Sequence, residues 1–191
     1  MSKTVKLSIA YTLIVVVALV LILGFCLKKS YNPEIDAPNI ISITTASGQA
    51  EYDGGDDTNN KERFNELYKE YTEATSENFV SALFSGNLFY ASRIELLSSA
   101  PSFEGYKMMF KYAQEQTIML NGKEYAHASA SSVILKYDTV YFDVVDTDGI
   151  EKVNMYYKVT TTQNNNQKTE YYKRAVLADF SALHQAIVDA Q

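Results

Sequence analysis

The chain has 191 residues, of which 47% are hydrophobic and 21% are charged, with 8 glycines, 3 prolines and 1 cysteine. Such a composition excludes a collagen, a small disulfide-stapled protein and a wholly disordered chain. The formal net charge is -6, and no acidic residue precedes residue 31, so residues 31–191 carry 13 basic against 23 acidic residues, a net charge of -10. Since nucleic-acid binding needs a basic surface, we expect no nucleic-acid partner.

An apolar run extends over residues 9–27 and contains no charged residue in 19 positions. As a helix it would be about 28 Å long, close to the roughly 30 Å of a bilayer's hydrocarbon core. A cleaved signal peptide has a shorter apolar region that ends in a small-x-small site, and this run ends in Gly-Phe-Cys-Leu. A lipoprotein signal is disfavoured because the bulky Phe25 precedes Cys26. The sequence therefore predicts a transmembrane helix over residues 9–27, with the bilayer as its partner.

The orientation of this helix rests on its flanks. Lys3 and Lys6 precede it and Lys28 and Lys29 follow it, so the positive-inside rule barely discriminates. The short tail over residues 1–8 is typical of a signal anchor and is expected to be cytoplasmic. We therefore expect a single-pass protein of the cell membrane whose C-terminal domain lies outside the cytoplasm. That domain contains no cysteine, which is compatible with export.

Residues 28–60 form a segment of distinct composition. After Lys29 this segment contains acidic residues and no basic one, together with Pro33, Pro38 and the Asp/Gly-rich stretch over residues 53–60. Low hydrophobicity with charge of one sign predicts an acidic flexible linker over residues 28–60, in which only residues 40–44 favour a short strand. The stretch lacks the ligand spacing of a calcium-binding EF-hand. An α+β globular domain is then expected over residues 61–191.

Within that domain, apolar spacing predicts the elements in chain order. Helices are expected over residues 61–75 and 79–84, the second stopped by Ser85-Gly86-Asn87, then a strand over 88–97 and a short helix over 103–113. Asn121-Gly122 predicts a hairpin turn. Alternation predicts long strands over residues 132–146, around 152–159 and over 169–177, and the last segment, 178–191, favours a helix.

The element order over residues 60–178 is helix, strand, helix and then a meander of long antiparallel strands, and it resembles that of the curved cone of NTF2-like and cystatin-like α+β domains. With the tail, span and linker, the layout is similar to that of VirB8-like and TcpC-like subunits of secretion and conjugation machines. This resemblance implies an exported, non-catalytic scaffold that binds proteins. It covers architecture only and transfers no residue.

An enzymatic alternative has little support in the motifs. The sequence contains no zinc-binding His or Cys pattern, no phosphate-binding glycine loop and no nucleophile elbow, so we expect no metal and no cofactor. NTF2-like domains sometimes hold catalytic residues inside the cone. His127, Tyr141 and Asp143 are the candidate catalytic set for that alternative, and His184 is expected to be an ordinary helix residue.

Tyrosines offer the best candidate interaction site. The sequence has 15 of them and no tryptophan, and two pairs, Tyr156-Tyr157 and Tyr171-Tyr172, lie on neighbouring predicted strands. Each face of the sheet should receive one member of each pair, and we expect Tyr156 and Tyr172 on the solvent side, suited to a protein or glycan partner.

Two functions therefore remain open. The first is a membrane-anchored scaffold or interaction domain; the alternative is a small-ligand sensor or enzyme with a conical pocket. A filled core with exposed tyrosines favours the scaffold, and a deep polar cavity favours the alternative. The partner and the oligomeric state are left open.

Overall fold

A computed structural model describes residues 3–32, 34–55, 59–121, 132–163 and 166–189. Within these ranges the chain is an α+β protein with an apolar N-terminal helix, antiparallel strands and a C-terminal helix. The elements are α1 (Lys3–Cys26), β1 (Lys28–Ser30), β2 (Ile40–Thr45), β3 (Gly48–Asp53), α2 (Asn59–Ala74), β4 (Ser76–Asn78), α3 (Phe79–Ser85), a 3-10 turn (Asn87–Phe89), β5 (Ile94–Leu96), β6 (Tyr106–Asn121), β7 (Ser132–Val144), β8 (Glu151–Gln163), β9 (Asn166–Ala178) and α4 (Ser181–Asp189).

The chain divides into two compact units. The anchor unit comprises the described residues up to Tyr31 together with Ser76–Tyr90, and the sheet unit comprises Asn32–Thr75 and the described residues from Ala91 onward. Both units are thus assembled from two separate segments of the chain. The sequence predicted a span, a linker and a domain in succession, and did not predict that residues 76–90 belong to the same unit as the apolar helix.

The anchor unit contains α1, which is long and apolar enough to cross a membrane. The helix has 24 residues, and none of its side chains is buried within the protein. After α1 the chain forms β1, which pairs antiparallel with β4. The predicted apolar helix is therefore present, and it extends to Lys3, beyond the predicted first residue, because nothing in residues 3–8 breaks a helix.

The sheet unit is built on a seven-stranded sheet in the order β3-β2-β6-β7-β8-β9-β5, with every pairing antiparallel. One face of this sheet packs against α2, whose buried side chains include Leu67 and Tyr71. Helix α4 adds Leu183 and Ile187 to the same core. The opposite face of the sheet, called the outer face below, carries the alternate residues of each strand.

The segment expected to be a flexible linker contains strands. Strand β2 pairs with β3 on one side and with β6 on the other, and Ile41 is fully buried opposite Phe110. The short strand expected over residues 40–44 is therefore confirmed, and the prediction of a flexible linker over residues 28–60 is wrong for β1 and β3. The negative charge of this segment is partly balanced by a basic residue sixty positions later in the chain, because Glu51 on β3 forms an ion pair with Lys111 on β6.

Two further local predictions are wrong. The helix expected over residues 103–113 is the beginning of β6. Its apolar residues at helical spacing also alternate with a period of two from Tyr106 to Tyr112, and pairing with β2 and β7 selects the strand. The strand expected over residues 88–97 is reduced to the 3-10 turn and the three residues of β5.

The remaining predicted elements are confirmed. Helices α2, α3 and α4 and strands β7, β8 and β9 lie where the apolar patterns place them, within a few residues. Gly86 ends α3 in the left-handed conformation with a φ of 80°, which glycine adopts without strain. The Asn121-Gly122 turn extends outside the described residues, as does His127.

Candidate functional site: the outer face of the sheet

The outer face presents aromatic side chains from three neighbouring strands. In β7, β8 and β9 the residues that face α2 include Phe142, Tyr157 and Tyr172, all buried. Their sequence neighbours Tyr141, Tyr156 and Tyr171 therefore point to the outer face. Direct ring contact supports this placement, since the centroids of Tyr141 and Tyr171 are 6.3 Å apart.

A fourth ring comes from the loop before β6. The Phe103 centroid lies 5.5 Å from that of Tyr156 and 5.9 Å from that of Tyr141. Because Phe103 lies over Tyr156, the latter is only 7% exposed although it faces away from the core. Phe103, Tyr141, Tyr156 and Tyr171 are together called the outer aromatic cluster.

Gly105 brings this loop close to the sheet. A Cβ atom at Gly105 would come within 2.5 Å of the Val144 carbonyl oxygen, a distance that no side chain tolerates. The Asp143 carboxylate holds the loop by accepting hydrogen bonds from the backbone N–H of Gly105 at 3.0 Å and of Glu104 at 3.4 Å. Glycine and aspartate together therefore position Phe103 on the outer face.

Lysines accompany the cluster. The Lys107 Nζ lies 5.7 Å from the Phe103 ring centroid and 5.8 Å from that of Tyr141, in the range of a cation–π interaction. Lys173 is the register partner of Tyr156, and Lys158 is that of Tyr171, so both belong to the same face. Three lysines therefore lie beside the aromatic rings on this face of an acidic domain, together with the carboxylates of Asp143 and Glu104.

The hydroxyl groups of Tyr141 and Tyr156 stay protonated at neutral pH. Burial raises the pKa of the Tyr141 phenol, with smaller contributions from Tyr171 and Asp138. Burial also raises the pKa of Tyr156, and the Asp143 carboxylate adds to this effect. Both phenols therefore remain neutral groups that can donate a hydrogen bond to a partner.

The four tyrosines predicted for interaction are divided between the two faces. The expectation that Tyr172 lies on the solvent side is wrong, because it pairs with Tyr157 and both face α2, leaving Tyr172 7% exposed and Tyr157 fully buried. The outer face receives Tyr156 and Tyr171 instead, and the expected solvent exposure of Tyr156 is also wrong, since it is 7% exposed beneath Phe103. The sequence predicts Tyr156 and Tyr172 on the same face, but in the observed register Tyr172 lies opposite Tyr157, so Tyr172 shares a face with Tyr157.

The two candidate catalytic residues that the structure describes lie on the outer face and not between α2 and the sheet. Tyr141 and Asp143 lie two residues apart on the outer face of β7, and the Asp143 carboxylate is occupied by backbone N–H groups. His127 lies outside the described residues. His184 stacks on Tyr106, with ring centroids 5.0 Å apart.

The space between α2 and the sheet is filled by aromatic rings. Tyr71 lies 4.8 Å from Phe110 and 5.2 Å from Phe142 between ring centroids, and Tyr137 lies 4.8 Å from Tyr157. A separate groove of about 340 Å³ lies at the β2–β3 hairpin, lined by Ile43, Thr45, Ser47, Gly48, Gln49, Ala50, Tyr52, Arg63 and Ile187.

Sequence reasoning missed Phe103 and Lys107 as members of the site. Both residues lie in the segment predicted to be a helix, and a helix does not place them on the outer face of the sheet. The Phe-x-Gly pattern of residues 103–105 immediately before an alternating run was the available signal. Among the described residues, no group of three His, Cys, Asp or Glu side chains is arranged to hold a metal ion.

Comparison of the chain with protein-family models, curated proteins and solved structures gave no match.

Proposed function

We propose that this protein is a membrane-anchored scaffold whose extracytoplasmic sheet unit binds another protein through the outer aromatic cluster. The observation that carries the proposal is the cluster itself: four packed aromatic rings, bordered by lysines, on the sheet face opposite α2. Tyrosine is enriched at the energetic centres of protein interfaces because it combines a large apolar area with a hydrogen-bonding group.

The filled interior supports binding at the surface over catalysis in a cone. A small-ligand or enzyme site inside an NTF2-like cone needs space between the helix and the sheet, and here that space holds Tyr71 against Phe110 and Phe142. The proposal includes a layout similar to that of VirB8-like envelope subunits, which act by assembling with other proteins. It places the protein in a secretion, conjugation or other envelope assembly.

The chemistry of the outer face suggests the type of partner surface. Lysines beside aromatic rings favour carboxylates next to apolar side chains, because the cation pairs with the acid and the rings cover the apolar part. We therefore propose an acidic, partly apolar protein segment as the partner.

Anchoring and orientation are tested on whole cells. The full chain is expected to remain in membranes after carbonate washing, and protease added to intact cells is expected to degrade the sheet unit. A soluble, shortened protein would contradict anchoring. A membrane-bound protein that is protected from external protease would contradict only the extracytoplasmic orientation.

Partner binding is tested by photo-crosslinking in cells. A photoreactive residue replacing Tyr171 is expected to give a discrete protein adduct that Phe103→Ala reduces several-fold. The matched control is the same replacement at Tyr106, which is also half-buried but packs against the core and stacks on His184. Equal adducts at both positions, or none at Tyr171, would contradict the proposed interface.

A small-ligand sensor remains the second candidate because of the groove beside β2 and β3. Its volume of about 340 Å³ lies within the range of small-molecule sites. Gln49→Trp would occupy this groove from an exposed position of β3. Loss of the cellular function in that variant, with crosslinking at Tyr171 unchanged, would favour the sensor.

A further inference from the structure

Exposed aromatic residues are concentrated in the second segment of the anchor unit. Phe84 is 86% exposed and Phe89 is 78% exposed, and Phe79 and Leu83 are also exposed. Residues 79–90 contain no charged residue. The four exposed side chains, Phe79, Leu83, Phe84 and Phe89, are called the apolar collar below.

The collar lies on ordered structure. Helix α3 begins after Asn78, whose side chain accepts a hydrogen bond from the Ser81 N–H at 2.8 Å, and it ends at the left-handed Gly86. The 3-10 turn that follows is linked to β4, because Asn87 Nδ2 donates to Glu77 Oε2 at 3.0 Å. The exposed rings therefore project from fixed positions, and their exposure is not the result of a frayed segment.

Contacts within the anchor unit place the collar at one end of α1. A Cβ atom at Gly24 would lie 3.1 Å from Val80 Cγ2 and 3.5 Å from Phe79 Cδ1, so α3 packs directly against α1 at this glycine. Gly24 is three residues from Leu27, the last apolar residue before Lys28, which corresponds to about 4.5 Å along a helix. The beginning of α3, with Phe79 of the collar, therefore lies beside the C-terminal end of the apolar span.

We propose that the apolar collar is a second membrane contact, inserted at the boundary between the headgroups and acyl chains of the bilayer that α1 crosses. The proposal rests on the membrane anchoring proposed above. Lys28 and Lys29, exposed on β1 and paired in register with Asn78 and Glu77, lie at the same end and favour anionic headgroups. Aromatic rings beside basic residues are typical of such interfacial segments.

Lipid accounts for the collar better than a second protein surface does. The side chains of α1 are themselves exposed throughout the helix, so the solvent that covers them has to be apolar. The collar continues that exposed surface through the Gly24 contact. A second copy of the chain or a protein partner would have to displace lipid from a region that α1 already places at the membrane.

The absence of tryptophan from the sequence permits a direct measurement. Phe84→Trp and Phe89→Trp each introduce a single fluorophore into the full chain, reconstituted in phosphatidylcholine and phosphatidylglycerol vesicles. Lipids brominated near the headgroup are expected to quench both at least about twofold, and more strongly than lipids brominated at the chain end.

Two matched single-tryptophan variants separate this proposal from that of anchoring. Tyr11→Trp lies in α1 near the end of the apolar span opposite Gly24 and should be quenched most by lipid brominated near the headgroup, and Met119→Trp, at an exposed position of β6, should not be quenched. Quenching of Tyr11→Trp without quenching of either collar variant would overturn the collar and leave anchoring intact. No quenching of Tyr11→Trp would overturn anchoring itself. Blue-shifted, unquenched emission from the collar variants would show that protein covers the collar, and would also overturn the proposal.

Discussion

Tyr171 and Tyr172 are neighbours on β9 with opposite environments. Tyr172 packs in the core against the residues beneath α2, and Tyr171 is half-buried on the outer face beside Tyr141. We expect Tyr172→Ala to lower the free energy of unfolding by about 3 kcal/mol. Tyr171→Ala should lower it by less than about 1 kcal/mol. Urea unfolding of the full chain in detergent, followed by circular dichroism, measures both, and the reverse order would contradict the assigned register.

The buried tyrosines make the sheet unit sensitive to alkali. Burial raises the pKa of Tyr137 to about 12. Burial likewise raises the pKa values of Tyr71, Tyr112 and Tyr157 well above the usual value. In the unfolded chain these phenols ionise near pH 10, so stability is fully present below about pH 10 and is lost as the pH rises toward 12 and beyond.

The predicted loss of stability at alkaline pH is measured by following tyrosinate absorbance and circular dichroism together. The four core phenols should ionise cooperatively with unfolding. Tyr137→Phe removes one such group and should move the alkaline unfolding midpoint to higher pH. A midpoint that stays constant, or tyrosines that all titrate near pH 10 in a folded protein, would contradict the buried cluster.

Asp143, a candidate catalytic residue in the sequence, has a structural role on the outer face. Its carboxylate accepts the N–H groups that hold the Phe103 loop. Asp143→Asn keeps one acceptor oxygen, so we expect nearly unchanged stability and an intact cellular phenotype. Asp143→Ala removes both hydrogen bonds and should cost about 1 kcal/mol in the free energy of unfolding. Loss of function in a well-folded Asp143→Asn variant would favour catalysis.

At the scale of elements, β2 is the clearest test of the fold. If residues 40–45 were a tether, replacing Ile41 would have no effect on stability. Because Ile41 is fully buried between α2 and the sheet, Ile41→Ala is expected to lower the free energy of unfolding by about 3 kcal/mol. Ala50→Ser, at an exposed position of β3, is the control and should change it little. Unchanged stability of Ile41→Ala with rapid amide exchange in β2 would restore the linker interpretation.

Sequence patterns predicted elements well where the local period decided the structure. The helical face of α2 and the alternation of β7 and β8 are set by apolar residues that pack on one side of each element. Sequence patterns did not predict the place of β2 in the sheet or the first half of β6. These strands depend on pairing between residues more than sixty positions apart, as in the pair of Ile41 and Phe110. A window of neighbouring residues does not contain that information.

The candidate site was predictable only in part for the same reason. Alternation correctly divides each tyrosine pair between two faces, and the register with β8 determines which member of Tyr171-Tyr172 is buried. The covering of Tyr156 depends on Phe103, which arrives from a loop some fifty residues earlier in the chain. Neither the register nor this loop contact is encoded within the strand itself.

At the scale of the whole molecule, the anchor unit contains a segment from the middle of the chain. A truncated protein beginning at Asn32 would lose β1, the partner of β4, and Gly24, the contact of Val80. We therefore expect residues 76–90 of that truncation to exchange their amides rapidly and to be cleaved first by protease, while the sheet unit stays protected. Hydrogen exchange of the truncation and of the full chain in detergent gives the comparison. Equal protection of residues 76–90 in both would show that this segment orders without α1.

The strand order also determines when the sheet can form during synthesis of the chain. Strand β2 leaves the ribosome early, and its partner β6 follows about seventy residues later, as Ile40 pairs with Lys111. At the other edge, β5 pairs with β9 through Ile94 and Arg174, a separation of 80 residues. Such non-local pairing makes folding slow, because a long loop must close before any of its contacts form. A nascent chain that stops before β9 therefore leaves β5 without its partner and β8 as an unpaired edge strand, which favours aggregation.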